Sequence, residues 1–157
     1  MSFYLDPLIP YIDFVLPKDA TILKRFRNIK SQTDGFATVT SQGKITGKLT
    51  ELLPGQMYKM QLATKTDYDL MGLVIDVKNT TQTMHPGYNW IGTLSSSVMS
   101  VGEAFSELQP EPGDRVKSRT AFAEYSNKGY WEGTLESIVP GEGYIYRSKA
   151  TVEKTFH

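Results

Sequence analysis

LLPGQMYKMQL, residues 52–62, and IVPGEGYIYRS, residues 138–148, are nearly the same phrase, with Tyr58 and Tyr144 standing 86 positions apart. Pro-Gly is turn chemistry, because proline presets φ at the second turn position and glycine supplies positive φ at the third. The residues after each Pro-Gly alternate with period two, as a strand does. The phrase therefore reads as a tight turn feeding a strand, and its recurrence poses the question of how much else recurs.

Working outward, Phe36-Ala37 matches Phe122-Ala123, Gly43 matches Gly129, Gly47 matches Gly133 and Leu49 matches Leu135 at the same offset. One gap upstream brings Ile29-Lys30-Ser31-Gln32-Thr33 against Val116-Lys117-Ser118-Arg119-Thr120. About thirty positions per half stay in register, including turn glycines, a proline and aromatics. That is the signature of a duplicated unit.

Each unit reads as a short helix succeeded by strands. Ser100 and Glu103 form a capping box ahead of Val101, Ala104, Phe105 and Leu108, which share one helical face, and Pro110 and Pro112 end the run. In the first unit Asp19 is the expected cap, with Ile22, Leu23 and Phe26 as the apolar face. Val116 to Thr120, Phe122 to Tyr125, Tyr130 to Leu135 and Gly143 to Ser148 read as strands, with Ser126-Asn127-Lys128-Gly129 as the hairpin turn. A last strand is expected within Thr151 to Phe156. The opening strand of the second unit is Tyr88 to Leu94. Its counterpart is residues 1–5, with Met1 in the place of Trp90, so the chain is expected to begin inside a strand, as a piece of a longer exported chain would. The expected fold class is α+β, predominantly antiparallel β, in two related units with one short helix each. Residues 1–78 form the first unit, 79–86 a polar linker and 87–157 the second. Asn79-Thr80-Thr81 in the linker fits an N-glycosylation tripeptide, a pattern common by chance.

Composition narrows function by exclusion. Lys plus Arg equals Asp plus Glu at 17 each, so there is no basic excess to bind nucleic acid. No cysteine is present, which removes disulfides, thiolate nucleophiles and cysteine zinc sites. No apolar run reaches the about 20 residues of a membrane-spanning helix. The N-terminus carries no basic n-region and reads as no signal peptide. The two histidines, His85 and His157, sit in the linker and at the last position. Asp67 and Asp69 would share a strand face but make a poor calcium site without further oxygen ligands. The shared Lys30-Ser31 and Lys117-Ser118 pairs lie on opposite strand faces and form no nucleophile–base couple. No catalytic residue, metal site or cofactor is expected.

Aromatic residues are the remaining candidates. Trp131 pairs with Ile45 and reads first as core; Tyr58 and Tyr144 read as packed tyrosines with backbone-tied hydroxyls. Trp90, Phe105, Phe122, Trp131 and Tyr144 are expected to lie mostly buried. Tyr130 pairs with Lys44, so it is expected on the surface. Its plain reading is an ordinary solvent-facing residue. The functional reading is a platform, beside Tyr125 and Trp131, on which a sugar ring would stack.

The phrases "GYNWIGTL", "MSVGEAFSEL", "GDRVKSRTAFAEY" and "GYWEGTLESIVPGEGYIYRS" of residues 84–157 resemble repeats of large exported proteins of Bacteroidetes-type bacteria. Those repeats share a "GWNWI" opening, an "MS-x-x-EA" helix, a "GD-x-IKSQ-x-x-FA-x-Y" strand pair and an "L-x-PG-x-GY-x-Y" close. The first unit matches from about Ile29 to Leu62; its opening lacks Trp, and Phe26-Arg27 stands where "GD" belongs. The resemblance implies a non-catalytic, extracellular or cell-surface module, structural or adhesive, with other domains of a parent chain, a glycan or a surface protein as partners. It carries no catalytic residues. The competing expectation is a small polysaccharide-acting enzyme with a carboxylate-lined cleft between the units.

Overall fold

In the computed structural model, which describes residues 1–157 except 3, 4, 8, 68, 70 and 71 and the side chain of Leu5, both PGxxY phrases take the same shape. The Tyr58 hydroxyl accepts from the Leu53 amide at 2.7 Å and lies 3.2 Å from Gln56 Oε1. The Tyr144 hydroxyl accepts from the Val139 amide at 2.8 Å and lies 3.4 Å from Glu142 Oε2. Each ring is 1% exposed. The tyrosine spans its own turn and ties the entering backbone, so the phrase needs the Pro, the Gly and the Tyr together.

The first unit runs β1 (Leu5–Pro7), α1 (Ile12–Val15), α2 (Ala20–Leu23), β2 (Phe26–Lys30), β3 (Phe36–Val39), β4 (Ile45–Gly47), β5 (Lys59–Leu62), β6 (Gly72–Val74) and a 3-10 turn at Val77–Asn79. The second runs β7 (Gln82–Met84), β8 (Gly87–Gly92), β9 (Met99–Ser100), α3 (Val101–Ala104), β10 (Arg115–Lys117), β11 (Phe122–Tyr125), β12 (Trp131–Gly133), β13 (Ser137–Ile138), β14 (Gly143–Ser148) and β15 (Lys154–Phe156). The expected α+β fold, predominantly antiparallel β, is present.

The main sheets have the orders β4-β3-β2-β5 and β12-β11-β10-β14-β8, all antiparallel. Their registers coincide. Ala37 faces Gly47 as Ala123 faces Gly133, and Ile29 faces Met60 as Val116 faces Tyr146. Gly47 (φ 134°) and Gly133 (φ 150°) make the same bulge. There the Phe36 carbonyl accepts from Lys48 and Leu49, and the Phe122 carbonyl from Thr134 and Leu135. The repeated serines are turn formers. Ser31 Oγ accepts from the amides of Thr33 and Asp34, and Ser118 Oγ from those of Thr120 and Ala121.

Two buried clusters accompany the two sheets. One gathers Ile12, Val15, Leu16, Phe26, Ile29, Leu52 and Tyr58; the other gathers Met84, Val101, Phe105, Leu108, Val116, Tyr144 and Tyr146. They are joined through matched backbone contacts. Gly92 N donates to Gly55 O at 2.8 Å, and Ser2 N donates to Gly141 O at 2.9 Å. Gly55 and Gly141 are repeat equivalents. So are Ser2 and Gly92, since Ser2 bridges Met57 as Gly92 faces Gly143. The join is thus an internal version of a twofold, self-complementary interface.

Five expectations are corrected. The first-unit counterpart of α3 is α1 and not the Asp19-capped helix: Ile12 N bonds Thr50 O as Val101 N bonds Glu136 O. Asp19 does cap α2, accepting from Thr21 and Ile22, but Phe26 belongs to β2. Met1 corresponds to Ile91, one place beyond Trp90, because Met1 and Tyr58 exchange backbone bonds where Ile91 faces Tyr144. Gln82–Met84, expected in the linker, pairs with β15, and Met84 at 1% exposure enters the second core. Phe122 is 46% exposed, as Phe36 is at 55%. The inward positions of these strands belong to Ala37 and Ala123, and period two turns the phenylalanines outward, where the Arg115 guanidinium lies 5.4 Å from the Phe122 ring. Trp90 and Trp131, by contrast, are both largely covered, with Lys59 Nζ 4.1 Å over the Trp90 ring. No helix among the described residues is long and apolar enough to cross a membrane.

Candidate ligand groove

The β11–β12 hairpin turns at residues 126–129. Gly129 adopts φ 84°, its amide bonds Ser126 O, and Ser126 Oγ donates to Tyr130 O at 2.9 Å. That turn sets Tyr130 outside the last paired residue, so its ring projects at 49% exposure. Trp131, next along, faces Tyr125 across the strands, and the two rings meet edge to face at 5.4 Å. The other side of the indole rests on Phe105 at 5.9 Å and Tyr146 at 6.1 Å. Trp131 is therefore half core and half surface, a ring held rigid from behind.

Tyr125, Tyr130 and Trp131 line one open groove of about 780 Å³ between this hairpin and α3. The facing wall is Ser100, Val101 and Gly102, continued by Ser106, Gln109 and Pro110. All three site residues expected from the sequence are brought together. The polar wall was not legible there, since Ser100, Ser106 and Gln109 meet the hairpin only through the tertiary fold. Gln109 at φ 49° is the one non-glycine residue with positive φ among the described residues. Its conformation is held by its amide on Ser106 O and by Lys154 Nζ on its carbonyl at 3.0 Å. Non-glycine residues rarely adopt this region, and such outliers gather at functional sites.

Among its described lining residues the groove carries one charged side chain, the exposed Glu136 carboxylate, and other charges stand nearby. The Glu103 carboxylate is engaged in the capping box, where bonds from Ser100 hold it below the usual carboxylate range. Lys128 Nζ sits 3.4 Å from the Tyr130 hydroxyl and 3.7 Å from Glu132. Beneath the groove floor, Asp114 is buried and accepts from the Tyr146 hydroxyl (2.8 Å) and the amides of Lys149 and Glu111. Burial, reinforced by that carboxylate, pushes the Tyr146 hydroxyl far above its ordinary range. This network accounts for the Gly-Asp pair at 113–114. The first unit, with Arg27 in place of Asp114, also has Met60 in place of Tyr146, so both partners are exchanged together.

Between the units lies a smaller groove of about 330 Å³, walled by Gln32, Gln56, Gln82, Asn89, His85 and Trp90. Its amides serve the fold. Gln32 bonds Tyr88 O and Trp90 N, Gln82 bonds Gly55 O and Gly92 O, and Asn89 bonds His85 and Gly87. No carboxylate lines it among the described residues. His85 and His157 instead pair with Glu153 and Glu107 on the surface. Among the described residues no cluster of three or more His, Asp or Glu side chains could hold a metal ion. Set against known proteins, the chain matches no family model, no curated protein and no solved structure.

Proposed function

We propose that this chain is a non-catalytic module of an exported, surface-displayed protein and that its second-unit groove binds glycans. The observation that carries the reading is the convergence of Tyr125, Tyr130 and Trp131 on one groove with a hydroxyl- and amide-bearing opposite wall. A pyranose has apolar C–H faces and an equatorial belt of hydroxyls. An exposed ring braced by packed aromatics buries the first at little entropic cost, and Ser100, Ser106 and Gln109 stand where they can bond the second. The groove's size falls in the range of small-molecule sites, and the strained Gln109 at its rim fits a preorganised contact. Display at the cell surface rests on the resemblance of residues 84–157 to exported repeats. The groove between the units is lined by amides rather than carboxylates among the described residues, which supports the binding reading.

A glycan-array screen of the full chain tests the reading. Binding to a defined set of glycans is expected, with Tyr130→Ala lowering it at least about tenfold while the thermal transition stays within about 2 °C, as for an ordinary surface substitution. Wild-type binding unaffected by Tyr130→Ala, or hydrolysis products released from any bound glycan, would refute it.

A further inference from the structure

We infer that the first unit carries a second carbohydrate groove, built at the repeat-equivalent positions but with its aromatic rings on the opposite wall. The inference rests on reading the second-unit groove as glycan-binding.

Tyr11, Ile12, Phe14, Ile45 and Leu49 line a groove of about 460 Å³ between α1 and β4. The correspondence with the second unit is set by backbone: Tyr11 bridges Glu51 as Ser100 pairs with Ser137, and Ile12 N bonds Thr50 O as Val101 N bonds Glu136 O. Ile45 then stands where Trp131 does, Tyr11 where Ser100 does, and Phe14 where Glu103 does. In the second unit, hairpin rings face a polar helix. In the first, an aliphatic hairpin faces an aromatic helix.

The exchange runs against local helix rules. Ser100 and Glu103 complete a capping box, the preferred start for a helix. Tyr11 caps α1 with no side-chain bond at all, and Tyr11 and Phe14 are 53% and 54% exposed. Replacing cap residues with two exposed rings lowers helix stability without gaining core burial. Such breaches of local consistency belong to functional positions. Lys18 Nζ lies 4.0 Å from the Phe14 ring centre, and Asp13 lines the same groove. Lys18 thus stands at the Phe14 ring as a donor, and the one charge on the groove's own lining is the Asp13 carboxylate, an acceptor. An acidic wall beside stacking rings admits an uncharged, hydroxyl-rich polymer and disfavours a polyanion.

The test is calorimetric titration of the full chain with cellohexaose, xylohexaose and mannohexaose, alongside tryptophan fluorescence. Trp131 lines the second-unit groove, and no tryptophan lines the first, so only one of two binding events changes emission. At least one probe is expected to bind with about two molecules per chain. Tyr130→Ala removes the fluorescent event and one calorimetric site. Tyr11→Ala and Phe14→Ala, made singly and checked for wild-type circular dichroism, each weaken the silent site at least about tenfold and leave the fluorescent one. A single site lost with Tyr130→Ala and indifferent to Tyr11 and Phe14 would overturn the inference and leave the second-unit reading intact. A single silent site sensitive only to Tyr11 and Phe14 would support the inference and overturn that reading. No heat with any of the three probes would overturn both.

Discussion

Gly92→Ala probes the join between the two units. A methyl group on Gly92 would overlap the Ser2 Cβ and stand 2.5 Å from Ser2 Oγ. Gly92 has no positive φ, so the conflict is purely steric. Ser2 cannot step aside cheaply, since its amide bonds Gly141 O and its hydroxyl bonds Glu142 O at 2.5 Å. Overpacking a filled site costs about 1–3 kcal/mol, and each hydrogen bond lost as Ser2 moves adds about 0.5–1.5 kcal/mol. Replacing glycine also returns about 0.4–1 kcal/mol through the unfolded chain. The net expectation is a loss of about 2–3 kcal/mol, or about 4–12 °C in the melting temperature of a chain this size. Ser2→Gly alone is expected to cost about 1 kcal/mol for the hydroxyl's bond. The combined variant removes the overlap, so urea denaturation of all four forms should give a coupling energy of at least about 1 kcal/mol. A Gly92→Ala protein as stable as the parent, or strictly additive losses, would refute the argument that Ser2 fills the space this glycine leaves.

Gly133→Ala is expected to cost about 3–5 kcal/mol, because alanine is strained at φ 150° and its Cβ would meet Phe122 O and stand 2.8 Å from Ala123 Cα, both backbone; a urea midpoint shift corresponding to less than about 1 kcal/mol would contradict the bulge assignment. Alkaline stability should fall in a defined window. Burial pushes the Tyr58 hydroxyl up to about 12 and raises those of Tyr144 and Tyr146, while an unfolded tyrosine ionises near pH 10. A raised folded value means stability is full below about pH 10 and is lost as pH climbs from there toward 12, by about 1.4 kcal/mol per unit for each tyrosine still protonated. Absorbance of phenolate should therefore show three of the nine tyrosines ionising late, together with unfolding; a single smooth titration of all nine near pH 10 with the circular dichroism intact would contradict their burial.

The repeat, the turns and the β-rich class were legible in the sequence because they depend on local backbone demands. Glycine at 43, 47, 55, 129, 133 and 141 answers a positive φ wherever it stands, and the Ser100–Glu103 box closes within one turn. Tyr130 on the surface was legible too, through its exchange with Lys44. Only the tertiary structure decided what lies opposite each segment. Phe122 reads as core by composition, yet Ala123 takes the inward position. Gln82–Met84 reads as linker because three polar-flanked residues cannot announce a partner seventy residues later. The true counterpart of α3 was hidden because Tyr11 and Phe14 discard the cap that made the second helix recognisable. The wall that turns Tyr125, Tyr130 and Trp131 into a groove, and the seating of Ser2 on Gly92, arise from packing between segments far apart in the chain. Sequence periodicity records which residues share a face, and burial is fixed only when another face arrives to cover it.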